Sequence, residues 1–383
     1  MDSNGNIAAS LFLHQHLRKD MHQEAPRPSK KKILYSIQPE LHTYLLRYGR
    51  EVELPVTYND MLHFTYARPL PDANGKETAW EQVSYDMREW EFLREGLVKC
   101  YAMLKTEGDF SFASNLNVER IDFCSFGNSQ PFRVRIINIF NGNGDHFYIK
   151  KADASRVYGL ELEHLLSSSR VTFLTCNQTL IEEHIAGIPG DTFIRDYLHR
   201  PDTNIVRVLK TFVKFNESSF VRLLGDMRSY NFVVDITPDI DDTQYYIRAI
   251  DFDQQSYEGR LRMYLPQFTK ENFEIVQLAI GKLDAESVKQ YQAEERSRLV
   301  YRITTERYRM KELMDVMVKD EISTPEKITQ LRLELADYWK NPSFLKAKTM
   351  GAILKIQMKQ ALLPSLNMVL KATRRRNIGK NYF

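Results

Sequence analysis

Between Leu224 and Asp253 the chain reads LGDMRSYNFVVDITPDIDDTQYYIRAIDFD, and its oxygen-bearing side chains crowd there. Asp226 and Asn231 are separated by four residues. The apolar, β-prone run Phe232–Val234 follows, then a polar turn, and a second β-prone run from Tyr245 to Ile250 delivers Asp251 and Asp253. Two such runs predict a β-hairpin with acidic groups at its base and the Asp/Asn pair just ahead of it. Carboxylate and amide oxygens gathered in this way suit a hard divalent cation that bridges phosphate groups. Asp235, Asp239, Asp241 and Asp242 crowd the hairpin tip without calcium-loop spacing and read as solvated.

The preceding residues must position this stretch. From Asn117 the pattern has period two: Arg120–Cys124 and Phe132–Ile137 read as strands joined by Ser125–Gln130, and Asn141–Asp145 closes a second hairpin onto His146–Lys151. Successive strand residues alternate faces, so Lys150 and Lys151 point to opposite sides of the sheet. A helix follows over about 154–166, capped by Asp153 and carrying Glu161 and Glu163. Val171–Cys176 and Thr179–Ile185 are the next strands. Asp191 is placed to cap a helix starting at Thr192, and Ile205, Val208, Leu209, Phe212 and Val213 have helical spacing over 204–215.

Outside this segment the chemistry is sparser. Residues 1–32, with Pro26, Pro28 and Lys30–Lys32, read as a flexible basic extension; His14 and His16 lack further ligands nearby. Within a mainly helical module over 33–115, Pro69–Gly75 reads as an exposed turn, and an apolar stripe from Trp80 to Leu104 predicts a helix over about 78–105 that buries one face. The C-terminal region reads as helices: one near Asn272, a long one over 284–319, one started by Ser323-Thr324-Pro325-Glu326, and others from about Ser343 and Leu363.

The Gly225-Asp226…Asn231 and Ile250-Asp251-Phe252-Asp253 segments, behind this order of hairpins, helix, strands and helix, resemble the protein kinase-like superfamily, in particular its aminoglycoside phosphotransferase and choline kinase branch. The resemblance implies an α+β, bilobal protein kinase-like fold: an antiparallel-sheet N-lobe with one helix over 116–187 and a mostly helical C-lobe over 188–283. A helical C-terminal region with a basic tail over 284–383 completes the expected organisation. It also implies ATP and Mg2+ as cofactors. Carried onto this sequence, Asp226 orients or deprotonates the acceptor, Asn231 and Asp251 hold the metal, and Asp253 is an alternative metal ligand. Lys150 neutralises the nucleotide phosphates, with Lys151 as the fallback, and Glu161 or Glu163 pairs with that lysine, Glu161 being preferred. Arg228 meets the transferred phosphate, Gly127 lies in the phosphate-covering loop, backbone groups around Glu183 and Ile185 bind the adenine edge, and Asp191, as the alternative to capping, reaches a ribose hydroxyl. Leu224 stands where the family has His, and the full glycine-rich pattern is missing. No Ala-Pro-Glu motif or long activation segment follows Asp253, which favours a small-molecule or unusual acceptor.

Composition sets the outer limits. With 383 residues and 43% hydrophobic content, the chain can bury a large core divided among two or three lobes. No apolar run reaches the length of a membrane span and no signal sequence is evident. The three cysteines have no ligand spacing and read as buried thiols of a cytoplasmic protein. The net charge of +3 is uneven: from Phe344 onward there are nine Lys or Arg and no Asp or Glu, including Arg374–Arg376, a tail suited to an anionic partner. The expected function is therefore ATP-dependent transfer to a hydroxyl group. The alternatives are a pseudokinase acting as a nucleotide-binding or protein-interaction module, and a kinase-fold enzyme that transfers a nucleotidyl group.

Overall fold

The computed structural model describes residues 32–71, 75, 77–106, 110–111, 113–240 and 243–372. The expected basic extension, apart from Lys32, the Arg374–Arg376 tail, and Asp241 and Asp242 lie outside the described residues, as do 72–74 of the expected turn. The chain forms two compact units. Lys31–Leu160 and Ser169–His184 make one, termed the sheet unit; the other, termed the helical unit, comprises Glu161–Ser168 and the chain from Ile185 on. The architecture is α+β, and no helix among the described residues is long and apolar enough to cross a membrane.

The sheet unit is built on seven antiparallel strands in the order β1-β2-β3-β4-β5-β7-β6. They span Tyr66–Pro71, Glu77–Ser84, Leu116–Phe123, Phe132–Asn138, Gly144–Lys151, Phe173–Cys176 (β6) and Thr179–Glu183 (β7). Two helices, α1 (Pro39–Arg47) and α2 (Met87–Thr106), precede β3, and α3 (Ala154–Leu166) follows β5. Strict alternation buries Phe132, Val134 and Ile136 of β4 with Phe147 and Ile149 of β5, in one cluster with Leu93, Leu97, Cys100 and Leu104 of α2. Burial of alternate residues is what period two requires of a sheet with one covered face.

The helix expected over 78–105 begins nine residues late. Glu77–Ser84 is instead strand β2, paired with both β1 and β3, so part of the stretch expected to be mainly helical extends the sheet. The start is fixed by Asp86, whose Oδ1 accepts the Glu89 N–H at 3.0 Å, a capping bond that outweighs the weak helical spacing before it. The three cysteines are free thiols; Cys100 and Cys124 are buried.

In the helical unit a three-stranded sheet, β8 (Ile188–Pro189), β9 (Phe232–Pro238) and β10 (Thr243–Ala249), has β9 at its centre. Helices α4 (Gly190–Asp196), α5 (Ile205–Val221), α6 (Phe273–Lys282), α7 (Ala285–Thr305), α8 (Arg307–Met317), α9 (Pro325–Trp339) and α10 (Met350–Ala372) make up the rest. Asp191 does not cap α4: the helix starts at Gly190, Pro189 is its N-cap, and Asp191 lies in the first turn. Thr324 caps α9 by accepting the Lys327 N–H, with Pro325 in the first turn.

The single long helix expected over 284–319 breaks at Glu306, where the hydroxyls of Thr304 and Thr305 both bond back to the Tyr301 carbonyl and compete with the helical ladder. No helix begins near Leu363. α10 runs through Pro364, whose missing donor is offset by burial of Ala361, Leu362 and Leu366.

Gly190 lets the start of α4 lie against the segment that carries Asn231. A Cβ there would come 2.2 Å from the Phe232 ring and 2.4 Å from the Ser229 carbonyl oxygen. Gly190→Ala is therefore expected to destabilise the helical unit by about 1–3 kcal/mol, read as a lower midpoint of urea or thermal unfolding.

Candidate functional site

The helical unit holds Asp226, Arg228, Asn231, Asp251 and Asp253. Leu223, Asp226 and Ser256 all adopt positive φ (51°, 58° and 48°), which costs on the order of 1–3 kcal/mol at each non-glycine residue. Several bonds fix this backbone. Ser256 N donates to Leu223 O at 2.8 Å, Gly225 N to Gln254 O at 3.1 Å, and Asp226 N to Met263 O at 2.9 Å. The Gln255 amide, fully buried, donates to Arg222 O at 2.7 Å. Strain held this firmly at a carboxylate marks a positioned group rather than a surface turn.

Asp226 is buried to 8% exposure and its carboxyl is pushed up to about 6. Burial is the main cause. The Arg228 guanidinium opposes it, while the negative charges of Asp251 and Glu271 add to it. Arg228 Nε donates to Asp226 Oδ1 at 2.5 Å, and its Nη1 lies 3.2 Å from Glu271 Oε1, so the guanidinium bridges two carboxylates. A carboxyl of this kind changes protonation state near neutral pH, as a general base must.

Asn231 Nδ2 donates to the Asp226 backbone oxygen at 2.8 Å, which turns its Oδ1 the other way. The Ile250 N–H donates to Asn231 O at 3.0 Å, so the residue after it, Asp251, is held beside the Asp/Asn turn. Asp251 Oδ1 accepts the Asp253 N–H at 3.0 Å, and Asp253 is itself buried. Among the described residues no three His, Cys, Asp or Glu side chains group closely enough to hold a metal ion. A cation at Asn231 and Asp251 would thus take one amide oxygen and one carboxylate and complete its shell from phosphates and water. That division suits Mg2+, which dehydrates reluctantly and is usually bound by one or two carboxylates plus substrate phosphates.

In the sheet unit Lys150 is buried and Lys151 exposed, as their alternation requires. The carboxylate against Lys150 is Glu182 of β7, whose Oε2 accepts from Lys150 Nζ at 2.8 Å. Arg156, in the first turn of α3, grips the same carboxylate through Nη2 at 2.7 Å and through Nε. Burial raises the Glu182 carboxyl, but the Arg156 and Lys150 charges outweigh it and hold the group below the usual carboxylate range. The expected lysine partners have other cations: Glu161 accepts from Arg309 Nε at 2.6 Å, and Glu163 pairs with Arg222. Helical spacing singled out Glu161 by its apolar neighbour, yet Arg309 is 148 residues away in sequence and invisible to local pattern.

Gly127 lies in the β3–β4 turn, where its carbonyl accepts the Gln130 N–H at 3.0 Å. The Glu183 N–H donates to Thr172 O at 3.2 Å, and its side chain accepts the Thr172 N–H at 2.7 Å. Ile185 is buried at the start of the segment leading to β8. Sequence reasoning missed Glu182, Arg156 and Glu271. For Glu182 a signal was present: two successive acids on one strand cannot both face water.

Glu182→Gln would leave two buried cations sharing a neutral amide, and is expected to cost about 3–5 kcal/mol. Glu119→Gln, at an exposed pair with Arg135, should cost about 1 kcal/mol or less. The Glu182 carboxyl is depressed on folding, so its stabilisation is present above the ordinary value of 4.5 and is lost as pH falls below it. Denaturant titrations of wild type and Glu182→Gln should therefore converge in acid. No family model matches the chain, and no curated protein matches it significantly.

Proposed function

We propose that this protein is an ATP- and Mg2+-dependent phosphotransferase of protein kinase-like fold that acts on a hydroxyl acceptor, a small molecule or otherwise unusual substrate. The observation that carries this reading is Asp226: a buried carboxyl with a value of about 6, on a strained turn, clasped to Asn231 and within the field of Asp251. Asn231 and Asp251 would hold the metal, which supplies charge neutralisation on the nucleotide phosphates. Asp226 accepts the proton of the attacking hydroxyl, and its Oδ2, on the side away from Arg228, is the oxygen suited to that task. Arg228 exchanges its Asp226 contact for the transferred phosphoryl group while Glu271 keeps it in place. Lys150, oriented by Glu182 in the sheet unit, is the lysine this reading assigns to the remaining phosphate charge.

The acceptor class is supported by the chain after Asp253. Residues 252–259 are all buried, and so are 263–268, packed as short 3-10 turns rather than looped out. The Tyr264 hydroxyl donates to Glu258 O at 2.6 Å. Such a segment offers no long exposed platform for a protein substrate.

A nucleotide-binding protein without transfer is the second reading. It is favoured by the Arg228 bond on the base's own oxygen. Thermal unfolding with ATP, with and without Mg2+, tests what both share: a metal-dependent rise in midpoint is expected, equivalent to about 2.7 kcal/mol at a hundredfold excess over Kd. Its absence would sink both. ATP labelled on the γ-phosphate should pass label to a hydroxyl acceptor, whereas α-label transfer would indicate nucleotidyl chemistry instead. Asp226→Asn should keep binding and lower transfer by roughly 10²-fold or more.

The transfer rate should depend on pH through Asp226. Its value is raised, so the carboxyl is protonated and inactive below about 6 and the rate climbs as pH passes through it. Glu271→Gln removes one of the charges that raise Asp226 and should move that midpoint to lower pH. A carbon-13 NMR titration of the Asp226 carboxyl checks the shift without any turnover.

A further inference from the structure

Lys151, the neighbour of the buried lysine, has no role in the chemistry above. It lines a cavity of about 570 Å3 in the sheet unit, whose polar wall also includes Ser36, His42, Asn177 and Gln178. Leu34, Ile37 and Ala152 supply an apolar part. The volume falls within the roughly 300–1,000 Å3 of pockets that take small molecules.

Three segments distant in sequence form the walls, and each is pinned by specific bonds. Residues 32–37 are tied to the start of α3: Lys32 pairs with Asp153, the Tyr35 N–H donates to Asp153 Oδ1 at 2.8 Å, and the Ala154 N–H donates to Tyr35 O at 2.8 Å. The β6–β7 turn is held by Glu51, which accepts the Asn177 N–H at 2.8 Å and the Thr175 hydroxyl. The Ala152 N–H donates to Gln178 O at 2.7 Å and joins the third wall to the second. The cavity is therefore preformed, which spares a ligand the cost of ordering it.

Its charge is one-sided. Among the described residues no Asp or Glu lines it. Glu51, the acid behind His42 at 3.5 Å, is nearly buried and already serves Thr175 and Asn177. Lys151, Ser36, Asn177 and Gln178 line a partly apolar space.

We infer that this cavity is a second ligand site, distinct from Lys150, which takes a small organic anion: a phosphate or carboxylate at Lys151 with a short carbon skeleton against Leu34 and Ile37. The inference does not rest on phosphotransfer. Lys150 is buried and bound to Glu182, whereas Lys151 is exposed on the opposite face of the same strand.

Isothermal titration of the full chain with glycerol 3-phosphate and with succinate separates the phosphate from the carboxylate form of the ligand. Binding of either at millimolar concentration or tighter is expected. Lys151→Gln should weaken it at least tenfold, Gln178→Ala should weaken it measurably, and Glu119→Gln, at an exposed pair on another strand, should leave it within twofold. Both wall residues are exposed, so circular dichroism should show folded variants; should Lys151→Gln misfold, Gln178→Ala decides. The inference is overturned if neither anion binds the wild-type chain or if binding survives both wall substitutions.

Discussion

A carboxylate with no access to water must be matched by positive charge, and in the sheet unit that requirement falls on Glu182. Removing an ion from water costs several kcal/mol even after relaxation, and only good geometry with several hydrogen bonds offsets it. Glu182 meets the condition with two cations, one from β5 and one from the first turn of α3. Its demands thus fix the Lys150 rotamer and the approach of α3 together. Asp153 reinforces this: it accepts the Arg156 N–H at 3.3 Å and also binds Lys32 and Tyr35, so the segment leading into α1 contributes to the placement of Arg156.

The helical unit solves a different problem, that of holding a buried carboxyl, Asp226, at about 6 beside an arginine. Desolvation alone would hold Asp226 neutral; an arginine fully committed to it would keep it ionised. Arg228 is shared with Glu271, so its pull is divided, and the neighbouring negative charges restore part of the rise. The strained backbone at Leu223, Asp226 and Ser256 is the cost of aiming that carboxyl, and the buried turns around Met263 stabilise it.

What could be read in the sequence followed from local rules. The period-two strands β3, β4 and β5, the Asn141–Asp145 hairpin, the caps at Asp153 and Thr324, and the Asp226, Asn231 and Asp251 cluster are all properties of neighbours in sequence. Helix boundaries failed where one side chain decided the matter, as at Asp86, or where two hydroxyls competed with the backbone, as at Thr304 and Thr305. Ion-pair partners failed for a deeper reason. Glu161, Glu163 and Glu182 are indistinguishable by composition, and which cation each meets is set by contacts 26 to 148 residues away.

The placement of two lysines side by side on β5 also bears on how this strand can evolve. Because its side chains change face at every residue, gaining or losing one residue between Gly144 and Ile149 would exchange the two ammonium groups and turn Phe147 and Ile149 outward. Length variation there would be far more disruptive than any single substitution. When remote relatives of this chain are aligned, a gap inside β5 should be treated as a misplaced gap, and moved into the Asn141–Asn143 turn where extra residues meet only solvent.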